Sequence, residues 1–278
     1  MRHTLGPLVV VLLLAAGLTA TAPAPATALP TLPTSPLGDP PGANDWSCRP
    51  TASHPTPVVL VHGTGGDRTN LLQRLSAGIK AAGFCVYSLD YGNRGLDDIA
   101  ASAGELKTFT QRVLRSTGAR KVSMVGHSQG GMMPRYYIKF LGGDSVIDDL
   151  VGLSPSNHGT RITAGDNAFT RLVGFACTSC VQQGAGSPFL TRLNAGDETP
   201  GAVSYTQVTT RYDEVVVPHT SGYLAAGPRT TNITLQSKCP LELTEHLGTP
   251  LATPSLSITL DALTHVGPAR PAFQPRCL

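Results

Sequence analysis

A serine between glycines is the residue of this sequence best placed to act as a nucleophile. It lies in Gly126-His127-Ser128-Gln129-Gly130, where residues 121–125 favour a buried strand and residues 131–138 favour a helix. A sharp turn between the two would lift the serine oxygen into a cleft, and glycines would leave room for it. The helix start would point backbone N–H groups at a forming negative charge. The pattern predicts a nucleophilic Ser128, although a glycine-rich turn without catalysis is the alternative.

A serine hydroxyl needs a base to take its proton, and the base needs an acid to orient it. When a catalytic serine lies at a strand–turn–helix of this type, the acid and then the histidine follow it along the chain. The acid is predicted as Asp213, just beyond a strand end, with its neighbour Glu214 as the alternative. The base is predicted as His246, between the last strand and the last helix. His265, at the end of that helix, is its alternative, because the other six of the eight histidines precede the last strand.

The reaction also needs hydrogen-bond donors for the negative oxygen of a tetrahedral intermediate. One predicted donor is the backbone N–H of Gln129, the residue after the serine. The other is Thr64 in His62-Gly63-Thr64-Gly65-Gly66, which can offer both its N–H and its hydroxyl. A simple turn or a phosphate loop would also contain glycines here. The segment lacks the Lys-Ser/Thr pair of a phosphate loop and the third glycine of a dinucleotide fingerprint.

Alternating strands and helices must position these groups. The predicted strands are residues 57–62, 84–89, 121–125, 148–153, 203–209 and 231–236, and the predicted helices are 70–82, 97–116, 131–138 and 254–265. Their order and near-continuous apolar strands predict an α/β fold with a mostly parallel central sheet and helices on both faces. Residues 158–195 break the alternation. They form either a cap over the site or an ordinary packed insertion.

The N-terminal residues have the features of an export signal. A basic start, an apolar run over residues 8–18 and the cleavage site Ala26-Thr27-Ala28 predict a signal peptide over 1–28. We predict a disordered leader over 29–44, one catalytic domain over 45–278 and an extracellular location. The apolar run is too short for a membrane span, and no later stretch qualifies. The net charge of +3 indicates no nucleic-acid partner.

The six cysteines of an exported chain predict three disulfides. Spacing does not decide the pairing, and our choice is Cys48–Cys85, Cys177–Cys180 and Cys239–Cys277. The C-x-x-C spacing of the second pair also suits redox or zinc chemistry. An oxidising compartment and the lack of a second C-x-x-C favour a local disulfide instead.

Four motifs together resemble the secreted actinobacterial triacylglycerol lipases and, more distantly, fungal lipase B. They are P-V-V-L-V-H-G-T-G, G-H-S-Q-G-G, Y-D-E-V-V-V-P and T-E-H-L-G, and the similarity extends from about residue 44 to the C-terminus. The resemblance implies an α/β-hydrolase fold, a triad of Ser128, Asp213 and His246, and oxyanion donors at Thr64 and Gln129. It also supports the disulfide pairing.

The expected function is hydrolysis of carboxylic esters through an acyl-enzyme on Ser128, without a cofactor or a metal. Acylglycerols at a lipid–water interface are the expected substrate, and a monomer is the expected state. A short-chain carboxylesterase, a polyester depolymerase and an acyltransferase would use the same triad, so they remain possible functions. A different class of function would be a secreted binding protein with a hydrolase fold but no catalytic activity. The complete set of triad candidates argues against it.

Overall fold

A parallel sheet of six strands is the centre of the computed structural model, which describes residues 38–165 and 168–277. The strands are β1 (Val58–Val61), β2 (Val86–Leu89), β3 (Val122–His127), β4 (Ile147–Leu153), β5 (Ser204–Thr209) and β6 (Thr230–Thr234). They lie in the order β2-β1-β3-β4-β5-β6, and each neighbouring pair is parallel. The predicted sheet is confirmed. The signal peptide over 1–28 and most of the leader over 29–44 lie outside the described residues, so these boundaries remain predictions.

Helices connect and cover the strands. Within the described residues they are α1 (Gln73–Ala81), α2 (Gly92–Gly95), α3 (Ile99–Thr117), α4 (Gln129–Met132), α5 (Pro134–Phe140), α6 (Ala168–Ala176), α7 (Thr178–Gln182), α8 (Pro188–Asn194), α9 (Leu235–Lys238) and α10 (Thr253–Leu263). The longest, α3, begins where the Asp98 side chain accepts the Ala101 N–H at 2.9 Å. It ends at Gly118, whose φ of 74° continues the chain in a left-handed conformation.

Both faces of the sheet are buried, as a parallel sheet requires. Successive side chains of a strand point to opposite faces, so Val59 and Val61 of β1 pack on one side and Val58 and Leu60 on the other. Helices α3, α5 and α8 cover the first side, and α1 and α10 cover the second. Full burial of such a side chain contributes roughly 1.5–3 kcal/mol. The two cores therefore hold the strand ends, and the loops after them, in place.

Two predicted elements differ from those observed. The predicted helix over 131–138 is two helices, α4 and α5, because Pro134 has no N–H to continue the first one and starts the second. The predicted strand over 231–236 ends at Thr234, and Leu235 and Gln236 belong to α9. The described part of residues 158–195 contains α6, α7 and α8, together with a single bridge between Thr160 and Gly184. Helices of the described part of the chain are all too short or too polar to cross a bilayer.

Three disulfides join the pairs chosen from the sequence. Cys48–Cys85 ties the N-terminal arm to the start of β2, Cys177–Cys180 closes the first turn of α7, and Cys239–Cys277 ties the residue after α9 to the C-terminal tail. The first and third disulfides join cysteines that are 37 and 38 residues apart in the sequence. On the chain-entropy account each of these stabilises the fold by about 4 kcal/mol. The third disulfide therefore anchors the beginning of the segment that leads to His246.

Candidate active site

Ser128 lies at the turn between β3 and α4 with φ 55° and ψ −123°. Residues other than glycine rarely adopt a positive φ, and the conformation costs about 1–3 kcal/mol. A Cβ atom on Gly126 would lie 1.9 Å from the carbonyl oxygen of Gly130, and one on Gly130 would lie 2.2 Å from the Val61 oxygen. The Ser128 N–H donates to the Leu153 carbonyl at 2.9 Å. The turn is therefore compact, strained and fixed to two neighbouring strands.

A buried histidine–aspartate pair lies at the ends of the later strands. His246 Nδ1 lies 2.8 Å from Oδ1 and 3.0 Å from Oδ2 of Asp213. The Asp213 carboxylate also accepts the N–H groups of Val215 and Val216 at 3.1 and 2.7 Å. Burial raises the pKa of Asp213, but the hydrogen bond to His246, the nearby imidazole charge and the Val216 N–H together bring it below its ordinary value. Asp213 is therefore a carboxylate that fixes the imidazole and leaves Nε2 for another partner.

The backbone of His246 is held from two sides. Its N–H donates to Oε2 of Glu214 at 3.3 Å, so the alternative acid of the sequence analysis contacts the same histidine through the main chain. Its carbonyl accepts from Nε2 of His127 at 3.0 Å. Burial, followed by the proximity of His246, lowers the pKa of His127 to about 3, so this ring is neutral. His127 therefore connects the Ser128 turn to the His246 loop, a role that the sequence analysis did not assign.

A cavity of about 560 Å³ brings these elements together. Ser128, His127 and His246 lie on its wall, as does Thr64. Its apolar lining comes from separate parts of the chain and includes Leu71, Ile162, Val215, Val216 and Leu247. An apolar cleft with a few polar groups beside a serine can hold the acyl part of a substrate next to that serine.

The two predicted oxyanion donors lie side by side. The Thr64 hydroxyl donates to Oε1 of Gln129 at 2.7 Å. In the part of the chain that the structure describes, the Thr64 N–H meets no acceptor. Gln129 is the first residue of α4, so its N–H has no acceptor one turn earlier in the helix. Both backbone N–H groups therefore remain available to a ligand.

A left-handed turn supports the Thr64 loop. All residues of α2 have positive φ: 53° at Gly92, 48° at Asn93, 62° at Arg94 and 70° at Gly95. The Arg94 carbonyl accepts the Gly65 N–H at 2.8 Å. The side-chain Nε of Arg94 donates to the Gly66 carbonyl at 3.3 Å. Left-handed conformation costs roughly 1–2 kcal/mol for each residue with a side chain. The strained turn thus holds the backbone directly after Thr64, and no motif in the sequence predicted it.

The alternative base His265 and two other histidines lie in different surroundings. His265 follows the end of α10, and its Nε2 lies 3.8 Å from Oδ2 of Asp261. His158 Nε2 lies 2.8 Å from Oε1 of Glu198. His62 is buried and stacked on Tyr91, and burial lowers its pKa to about 4. Among the described histidines, His246 alone combines a carboxylate partner at Nδ1 with a place on the cavity wall.

A family profile described as Lipase (class 2) matches residues 55–253. The chain belongs to this lipase family. Triacylglycerol lipases from Pseudarthrobacter phenanthrenivorans and Burkholderia plantarii are each 35% identical to it over 86 residues, 29% of this chain and 27% and 24% of theirs. The chain therefore matches only about a quarter of the length of these relatives. Lipase B of Aspergillus fumigatus superposes with a TM-score of 0.67 at 22% identity, over 84% of this chain and 61% of that one. The predicted family and α/β-hydrolase fold are confirmed.

The sequence analysis also missed Gln183, another polar residue of this lipase-family site. Gln183, at the end of α7, lies on the cavity wall and donates from Nε2 to the Thr64 hydroxyl and to Gln129 Oε1, each at 2.9 Å. It is 119 residues from Thr64, and no local pattern marks it. In residues 38–165 and 168–277 the structure contains no group of three or more His, Cys, Asp or Glu side chains suited to a metal ion.

Proposed function

We propose that this chain is a secreted serine hydrolase that cleaves carboxylic esters, with triacylglycerols as its substrates. One observation carries the proposal: Ser128 and His246 share one cavity wall, and Asp213 holds the far side of the imidazole. Membership of a lipase family supports ester hydrolysis. Three disulfides and the predicted signal peptide support secretion.

In the proposed reaction Ser128 Oγ attacks the ester carbonyl carbon while His246 Nε2 takes the hydroxyl proton. The Asp213 carboxylate stabilises the imidazolium that forms. The backbone N–H groups of Thr64 and Gln129 and the hydroxyl of Thr64 donate hydrogen bonds to the oxyanion and stabilise it. The imidazolium then gives its proton to the leaving alcohol, and the acyl group stays on Ser128. Water releases the acid by the same steps, with His246 again as the base.

The substrate class is tested by rates over esters of rising acyl length. We expect the purified chain to hydrolyse p-nitrophenyl esters from acetyl to palmitoyl and to release acid from emulsified triacylglycerol. A fluorophosphonate probe should label Ser128 in the same preparation. Activity confined to dissolved short-chain esters would instead identify a carboxylesterase. Degradation of a polyester film would identify a polyester depolymerase, and acyl transfer to an added alcohol would identify an acyltransferase. A chain that neither reacts nor labels would be the inactive binding protein.

The Thr64 hydroxyl is tested by Thr64→Val, which keeps the shape and the backbone N–H. Loss of one oxyanion donor costs on the order of 3 kcal/mol in the transition state, so kcat should fall roughly a hundredfold with a smaller change in KM. Thr64→Ser keeps the hydroxyl and serves as the control, with kcat near the original value. An unchanged kcat in Thr64→Val would leave Thr64 with its N–H alone.

A further inference from the structure

Thr64, Gln129 and Gln183 form a closed hydrogen-bonded triangle beside the serine. The Thr64 hydroxyl donates to Gln129 Oε1 at 2.7 Å. Gln183 Nε2 donates to both of those oxygen atoms at 2.9 Å. Gln129 is fully buried, and Gln183 is 7% exposed. Water therefore has little access to Gln129 Oε1, which depends on these two donors.

The surroundings determine which end of the Gln183 amide carries the hydrogens. Its Nε2 also lies 3.2 Å from the Ser179 carbonyl, and its Oε1 accepts the Ser156 hydroxyl at 2.7 Å. Exchange of the two amide atoms would place oxygen against the oxygens of Ser179 and Gln129. The Gln183 amide is therefore a hydrogen-bond donor toward Thr64 and Gln129.

Helix α7 holds Gln183 in this position from outside the sheet. The Ser179 hydroxyl donates to the Gly95 carbonyl at 2.6 Å, next to the left-handed turn. The neighbouring Gln182 donates to Oδ2 of Asp98 at 2.6 Å and accepts the Ile99 N–H at 2.8 Å. The Gln182 contacts add stability to the packing of α7 on α3, while the Gln183 amide itself is held by Ser179 and Ser156. Gln183 can therefore keep its place while the Thr64 hydroxyl rotates.

The Thr64 hydroxyl has a single proton, and in this structure Gln129 accepts it. Stabilising an oxyanion requires the hydroxyl to turn away from Gln129. A buried acceptor that loses its last donor is costly, and this cost would hold the hydroxyl on Gln129. Because Gln183 also donates to Gln129 Oε1, that oxygen keeps one hydrogen bond after the rotation. Gln183 also keeps a hydrogen bond to the Thr64 oxygen, which leaves its proton for the substrate.

We propose that Gln183 is a positioning residue that frees the Thr64 hydroxyl to stabilise the oxyanion, an inference that rests on the proposed ester hydrolysis. The insertion over residues 158–195 then takes part in turnover through α7. Gln183 acts on the transition state through Thr64. Its removal should therefore lower kcat, and only when the Thr64 hydroxyl is present. This dependence separates the proposal from a general role of Gln183 in folding.

The test is a double-mutant cycle on the full chain with a soluble p-nitrophenyl ester. Gln183→Met keeps the length of the side chain and removes the amide, and we expect kcat to fall about tenfold with little change in KM. In the Thr64→Val background the same substitution should lower kcat by less than about twofold, because the hydroxyl is already absent. Gln183→Glu keeps the shape but replaces the donor by an acceptor, so its kcat should fall at least as far as that of Gln183→Met.

Gln182→Met is the matched control, since it removes the adjacent amide and its contacts to α3 but none to Thr64. It should lower the thermal unfolding temperature while kcat stays within about twofold of the original. The proposal is overturned if Gln183→Met or Gln183→Glu keeps full kcat, if the loss is equal in both Thr64 backgrounds, or if Gln182→Met lowers kcat equally. If the unsubstituted chain neither hydrolyses esters nor labels with fluorophosphonate, the proposed function fails, and this inference fails with it.

Discussion

Ser128→Ala should leave a folded protein whose kcat for esters is lower by at least about 10⁴-fold, because no acyl-enzyme can form. Alanine fits the same turn, since Gly126 and Gly130 leave the space around it unchanged. The thermal unfolding temperature should therefore stay close to the original. Steady-state rates, fluorophosphonate labelling and circular dichroism measure the three quantities. More than a few per cent of residual activity would show that another group is the nucleophile.

Ser156→Ala is the control for Ser128→Ala, because Ser156 also lies on the cavity wall. Its hydroxyl donates to Gln183 Oε1, so its removal should lower kcat by less than about tenfold. Labelling by the probe should persist. If the two serine variants lost activity equally, the cavity as a whole rather than one nucleophile would be needed.

His246→Ala should lower kcat as strongly as Ser128→Ala, because serine and base act as a unit. The double variant should be no worse than either single one. The substitution also removes the hydrogen bond that lowers the pKa of the buried Asp213 carboxylate. The thermal unfolding temperature should therefore fall, unlike that of Ser128→Ala. Rates and calorimetry on the three variants provide the test.

His265→Ala is the matched histidine control. His265 follows α10 and lies beside Asp261, where a cation at a helix C-terminus contributes at most about 1 kcal/mol. Its removal should cost little activity. A large loss of kcat in His265→Ala with a small loss in His246→Ala would assign the base to His265 and contradict the proposed mechanism.

Local patterns were sufficient for the turn at Ser128 and for most of the sheet. The Ser128 segment was predictable because strand, glycines and helix start are all within one short stretch, and only glycine fits at Gly126 and Gly130. The strands were predictable because parallel strands buried on both faces are continuous apolar runs. Asp213 and His246 followed from their order and from their positions after late strands. Their contact at 2.8 Å required the structure.

The contacts that local patterns could not predict join distant parts of the chain. Gln183 meets Thr64 across 119 residues, and His127 meets the His246 carbonyl with the same separation. Nothing adjacent to Gln183 distinguishes it from Gln182, since their different partners depend on how α7 lies against α3. Leu235 and Gln236 were assigned to a strand because the apolar run continues beyond Thr234, where the chain turns into α9.

The left-handed turn over Gly92–Gly95 has a consequence for protein engineering. Asparagine tolerates this conformation better than most residues, whereas Arg94 does not. Arg94→Gly would relieve this strain, but it would also remove the guanidinium that lies 3.7 Å from the buried Asp67 carboxylate. The same change would remove the Nε bond to Gly66 and let the turn move away from the loop that carries Thr64. At Arg94, relief of backbone strain and loss of side-chain contacts therefore act in opposite directions.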